Sequence, residues 1–252
     1  MCTHNVTKDS LYRIQWACFV CFAFTIIAVP TMLASRPDLR YYVINRANFS
    51  MVPTVEYHSE TKAYTLLLLF LLPSTLEHLF AIVFPEKCIS AIGWHRWISY
   101  VISAPSLIAL VIYSTGPGAE IAVTILTVGL IVVCIGMGPI VEYATDIQNT
   151  FVFQMGIIVG FVALLFAFIP VWYYYDRANI PTNIEPYITA MVSIITALYW
   201  SFGFVPVYIY LGSSASDKYM QINIREILYC ILSLVAKLPL AWLYAAMLVT
   251  RD

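Results

Sequence analysis

Seven stretches of this chain, each about 20 residues long and nearly free of charge, set the limits on what it can fold into. In hydrocarbon a backbone has no water to bond, so a stretch of that length is stable only as a helix that satisfies its own amides. The stretches run Leu11–Leu33, Tyr64–Phe84, Cys88–Tyr113, Glu120–Val141, Asn149–Trp172, Pro186–Leu211 and Ile222–Leu248. A water-soluble bundle is the competing fold. It would need a polar exterior, and soluble domains carry roughly 25% charged residues. Here 11% are charged and 61% are hydrophobic, so lipid must solvate much of the chain. The expected fold is all-α, a seven-transmembrane-helix bundle forming a single membrane domain over residues 1–252, an integral multi-pass protein of the lipid bilayer. The net charge of −1 offers no basic surface for nucleic acid. The first apolar run is long enough to span and no small-residue site closes it, so no cleavable signal is expected.

The connections carry helix breakers, as in Ser114–Gly118 and Gly212–Ser216. The exception is the long link Ala34–Lys62. Its stretches Leu39–Ile44 and Val52–Tyr57 suit a small β-hairpin lying on the bundle. Charge does not orient the bundle. Lys8, Arg13, Lys87, Arg96, Lys218 and Arg225 fall on the N-terminal side, and Arg36, Arg40, Arg46, Lys62, Arg177 and Arg251 on the other. The six cysteines are scattered; Cys18 and Cys21 lie in an apolar run without a second ligand pair and read as packing residues, with no metal site expected.

Charge inside a membrane reports function more often than not. Lys237 is the only lysine deep in any of the seven stretches. Ser233, Cys230 and Glu226 lie four, seven and eleven residues before it and Tyr244 seven after, which makes one polar helical face turned to the interior. A desolvated amine favours its neutral, nucleophilic form and condenses with aldehydes. The alternative is a lysine paired with an acid on another helix, in a structural or transport role. In the third stretch His95, Ser99, Ser103 and Ser106 share a face beside Arg96; serines bonding back to their own helix explain such a stripe equally well. Glu77 and His78 are adjacent, about 100° apart around the helix, so at most one faces the centre squarely. Glu120, Glu142, Asp146, Glu185 and Glu226 lie near expected helix ends, and most of them read as interfacial and solvated. Tyr100, Trp200, Phe204 and Trp242 fall deeper, where they suit either core packing or a flat apolar ligand.

Seven helices with a lone lysine in the last resemble a microbial-type rhodopsin, and the finer motifs resemble the heliorhodopsin family. Leu232-Ser233-Leu234-Val235-Ala236-Lys237, followed by Leu240-Ala241-Trp242 and preceded by Glu226 and Tyr229, looks like that family's retinal-lysine motif. Arg96-Trp97-Ile98-Ser99-Tyr100 looks like its third-helix motif, and Ser74 with His78 its second-helix motif; the long first loop is also a family trait. The resemblance implies all-trans retinal held as a Schiff base on Lys237, with Ser99, Ser233, Arg96, Ser103 and Tyr100 around it. Glu77 and His78 are then candidates for proton acceptor or substitute counterion, and Glu185 and Glu226 for a proton relay. Trp200, Phe204, Met137, Gly138 and Trp242 are the candidate pocket. Two departures stand out. The family usually has glutamate where this chain has Ser99, and a histidine three residues before glutamine where Tyr12 precedes Gln15.

The implied function is light sensing through an unknown signalling partner, without enzymatic activity, in a homodimer with a cytoplasmic N-terminus. That topology puts the sequon Asn48-Phe49-Ser50 outside. The alternative is a light-gated or light-driven proton path, since some family members from large algal viruses conduct protons, and a viral-type member is one form of this reading. A retinal-free transporter or structural membrane protein is the third.

Overall fold

The computed structural model describes residues 2–34, 41–45, 54–58, 60–88, 90, 92–115, 121–177, 180, 182–212 and 218–249. Seven long helices account for most of them: α1 (Cys2–Ala34), α2 (Glu60–Val83), α3 (Trp94–Thr115), α4 (Ile121–Asp146), α5 (Thr150–Arg177), α6 (Glu185–Gly212) and α7 (Lys218–Val249). All seven are long and apolar enough to cross a membrane. Each contains one internal proline: Pro30, Pro73, Pro105, Pro139, Pro170, Pro206 and Pro239. Neighbouring helices re-satisfy the backbone groups a proline frees, which is why membrane helices tolerate it.

Consecutive helices pack side by side, and α1 closes the ring against α7. The third helix also touches α5 and α6, and it is the most enclosed of the seven. Most of its side chains therefore face protein, with Trp94, Ile98, Val101 and Ile102 left on the outer face. The outer faces carry large apolar residues, among them Phe24, Ile27, Phe151 and Leu211, as lipid solvation demands. In the long first link, β1 (Tyr41–Asn45) pairs antiparallel with β2 (Thr54–His58), with Tyr41 opposite His58 and Asn45 opposite Thr54. This is the expected hairpin, and β1 lies against α3.

Two boundaries differ from the sequence reading in ways that matter. The residues Pro85–Cys88 form a separate helical turn, and α3 starts only after Gly93. The fourth helix continues past Val141 to Asp146, which places Glu142 inside it. It ends in a tight turn where Gln148 takes a left-handed conformation (φ 55°), and the Asn149 side chain accepts from the Val152 amide at 3.1 Å to cap α5. Glu120 and the sequon at Asn48 lie outside the described residues.

The two faces of α1 give a test of this packing. Phe22 is fully buried and stacked on His78 of α2, whereas Phe24 is 62% exposed. Phe22→Ala should cost roughly 2–3 kcal/mol, below the roughly 3–5 typical of soluble cores, because lipid tails are as apolar as the site and only packing is lost. Phe24→Ala should be close to neutral. Thermal unfolding of the two variants in one detergent checks the ranking.

Candidate functional site

Lys237 sits on α7 with its side chain 5% exposed, deep within the bundle. Its Nζ donates to Ser74 Oγ of α2 at 2.5 Å and to Ser103 Oγ of α3 at 3.0 Å, and lies 4.7 Å from the centre of the Tyr100 ring. The polar faces read from 3.6-residue periodicity on α3 and α7 do turn inward: Ser99, Ser103, Ser106, Cys230, Ser233 and Tyr244 are all buried.

One helical turn toward the N-terminal side lies a second layer. The Glu77 carboxyl lies within electrostatic reach of Lys237 and near the Ser99 hydroxyl, and its Oε2 has no hydrogen-bond partner among the described residues. Both Glu77 and His78 are buried, but on different sides of α2, in keeping with the roughly 100° between adjacent helical residues. The helix α2 is wedged between α1 and α3, and its two adjacent side chains serve opposite neighbours. His78 turns to α1, where its Nδ1 meets Gln15 Oε1 at 2.5 Å and its ring stacks on Phe22 at 5.4 Å. Glu77 turns the other way. Glu77 Oε2, His78 Nε2, Ser99 Oγ, Ser233 Oγ and the Tyr100 hydroxyl have no hydrogen-bond partner among the described residues.

A third layer is ionic. The Arg96 guanidinium is bonded to Glu142 on α4 and to Glu226 on α7, and lies 4.0 Å from the Tyr229 ring centre. Glu142 Oε2 also accepts from the Trp97 indole at 3.0 Å and from the Gly93 amide at 2.9 Å. Arg225 donates to Glu226 at 3.0 Å and to the Ser90 carbonyl at 3.0 Å, and its Nε lies 3.5 Å from Glu142. Glu142 and Glu226 are each 2% exposed: Glu142 departs from the reading of most helix-end acids as interfacial and solvated, and Glu226 lies inside as the polar face of the last helix implied. A buried guanidinium draws carboxylates inward because an uncompensated charge in low dielectric is far costlier. The sequence offered one signal for this: Arg96 opens an apolar helix that holds no acid of its own. Asp146 behaves as expected of an interfacial acid, paired at 2.5 Å with the largely exposed Lys218. Glu185 is exposed at the start of α6, on the opposite side from Glu226, and joins none of these groups.

Beside Lys237 an apolar cavity runs between α3, α4, α5 and α6. Tyr100, Met137, Gly138, Phe161, Tyr199 and Phe202 are among its walls. Glycines bring those walls close: a Cβ on Gly138 would meet the Trp97 ring at 2.1 Å, and one on Gly203 would meet Phe161 at 2.7 Å. Three expected pocket residues are elsewhere. Phe204 is 58% exposed and faces outward, Trp242 is 38% exposed and stacks toward Phe24, and Trp200 lies behind Phe161 at 5.3 Å. On α6 the rings that line the cavity are Tyr199 and Phe202, and Phe202 lies about 200° around the helix from Phe204.

The heliorhodopsin family profile matches residues 3–248 of the chain. This protein belongs to the heliorhodopsin family. No curated protein sequence matches the chain. Its fold is that of solved microbial rhodopsins. The thermophilic rhodopsin from Rubrobacter xylanophilus superposes with a TM-score of 0.71 at 13% identity, over 95% of this chain and 96% of that one. The Exiguobacterium sibiricum rhodopsin gives 0.68 at 18% identity over 95% and 96%, and a cyanorhodopsin from Tolypothrix gives 0.68 at 10% over 96% and 98%. At such low identity these likenesses establish the fold. Membership of the heliorhodopsins establishes a rhodopsin-type, retinal-associated membrane protein.

The ionic layer predicts a large asymmetry between two acids of α4. Glu142→Gln leaves Arg96 short of a buried partner and should cost about 3–5 kcal/mol of stability. Asp146→Asn breaks a surface pair and should cost less than about 1 kcal/mol. Unfolding midpoints of both variants in the same detergent check this.

Proposed function

We propose that this heliorhodopsin is a light sensor carrying all-trans retinal as a Schiff base on Lys237. The single observation behind this reading is the placement of Lys237 Nζ at the wall of an apolar, aromatic-lined cavity at mid-membrane depth. The Lys237 amine attacks the aldehyde carbon, a C=N bond replaces C=O, and one water leaves. When bound, the polyene supplies light absorption and isomerisation. The chain does the rest. Ser74 and Ser103 hold the nitrogen in place, Tyr100 lies against it, and Phe161 and Phe202 flank a flat apolar chain. Gly138 and Gly203 leave the space that Trp97 and Phe161 fill, so the cavity stays narrow. The charge cluster of Arg96, Glu142, Glu226 and Arg225 joins α3, α4 and α7 at one end, and a rearrangement there is what a signalling partner would read.

A second reading, a light-gated proton path, draws on another cavity. It opens on the N-terminal side between α1, α2 and the start of α7 and is lined by Asp9, Gln15, Cys88 and Glu226. Glu226 lines that cavity and His78 is bonded to its Gln15, with Glu77 beside His78 on α2, while Glu185 takes no part.

Lys237→Ala should insert and fold but show no visible absorption after addition of retinal. Borohydride reduction of the unsubstituted protein should leave the retinyl group on Lys237 alone; a full chromophore in the variant, trapped on another lysine, defeats the assignment. Photocurrent under voltage clamp separates the two readings, since a sensor passes none. We further place the N-terminus in the cytoplasm and the bundle in a homodimer, on family resemblance. An N-terminal tag should then be reached by antibody only in permeabilised cells, and labelling of intact cells contradicts the topology.

A further inference from the structure

The buried interior contains more charge than a lone lysine site requires, and its balance is informative. Among the described residues the buried charged side chains, histidine apart, are three cations, Arg96, Arg225 and Lys237, and three acids, Glu77, Glu142 and Glu226. Four of the six form a closed set: Arg96 bonds Glu142 and Glu226, and Arg225 bonds Glu226 and approaches Glu142. Both oxygens of Glu142 and both of Glu226 are taken by this set and its neighbours. The remaining two are Lys237 and Glu77. Glu77 is the acid that acts electrostatically on Lys237, and its Oε2 has no hydrogen-bond partner among the described residues. On α3 the polar neighbours at this depth are the hydroxyls of Ser99 and Ser103, which supply dipoles and no charge.

We propose that Glu77, from α2, is the counter-charge of the cation formed at Lys237. The proposal rests on the retinal reading above and assigns within it a residue that stabilises the protonated linkage. The other titratable and charged groups acting on Glu77 are Arg96 and Tyr100 from α3, Glu226 and Cys230 from α7, and Cys88 from the turn after α2. Arg96 and Glu226 largely cancel, being bonded to one another. From the neighbouring position on α2, His78 is committed to Gln15 of α1. Arg96 already carries two carboxylates on its terminal nitrogens, which offset its charge, although its Nε has no hydrogen-bond partner among the described residues; exchange of halide therefore tests directly for a small anion there.

The test is a pH titration of the visible band, with borohydride trapping and mass spectrometry confirming that the retinyl group is on Lys237. Glu77→Gln should lower the midpoint at which the visible band gives way to a near-ultraviolet one by about 1–3 pH units, the usual effect of losing an adjacent opposite charge. The remaining visible band should shift to the red. Glu77→Asp should stay near the unsubstituted midpoint. The double variant Glu77→Gln/Ser99→Glu returns a carboxylate from the facing helix and should restore the midpoint. If Glu77→Gln alone does not accumulate, the double variant carries the test: trappable pigment with a near-normal midpoint supports the proposal, and failure to form pigment overturns it. An unmoved midpoint in Glu77→Gln overturns it, as does a larger shift from Glu226→Gln or from exchange of chloride for gluconate. Absence of trappable pigment in the unsubstituted protein defeats the retinal reading and this proposal with it. Trappable pigment with an unmoved midpoint defeats this proposal alone.

Discussion

Arg96 is a permanent positive charge shut inside a membrane bundle, and much of the surrounding architecture follows from that fact. Its guanidinium reaches Glu142 on α4 and Glu226 on α7, so three helices meet at one point. Glu142 in turn takes the Trp97 indole and the Gly93 amide. Gly93 has no side chain because a Cβ there would meet the guanidinium at 2.7 Å. Trp97, held by Glu142, presses its ring onto the bare backbone of Gly138 and becomes one wall of the apolar cavity. The ionic layer thus shapes the end of a cavity with which it shares no chemistry. A buried ion pair is weak evidence for stability, since well-packed apolar residues often do as well. Its value here is positional: it ties α3, α4 and α7 together at one point.

The spanning helices were legible because lipid leaves the backbone few choices. Seven apolar runs became seven helices, and the polar faces of α3 and α7 pointed inward as their periodicity required. Lys237 was legible for the same reason. What escaped were features decided between helices. Glu142 looked like an end-of-helix acid because the apolar count stops at Val141, yet the helix runs on and the carboxylate turns toward an arginine 46 residues earlier. Phe202 and Phe204 are chemically identical, and either would sit comfortably in lipid or against a ligand. Only the position of α5 decides that Phe202 lines the cavity and Phe204 faces outward. Trp242 was misplaced on the same ground, since an aromatic ring is at home on a lipid face.

The same economy of charge bears on what light can do in this bundle. With Arg96, Arg225, Glu142 and Glu226 bonded to one another, the proposed reading leaves Lys237 and Glu77 as the pair that exchanges a proton. Under the proposed counter-charge role, a proton moving from the lysine nitrogen to Glu77 leaves the net buried charge unchanged, so the low-dielectric interior does not oppose it. The charge cluster need not open for that step. Conduction asks for more: the proton must then reach the cavity that ends at Asp9, either through His78 and Gln15 or past Glu226, which is bound on both oxygens to arginine. Releasing it means breaking the contacts that hold α3 and α7 together. On the proposed reading, local proton exchange between Lys237 and Glu77 leaves the contacts of the charge cluster in place, whereas conduction by way of Glu226 has to break them.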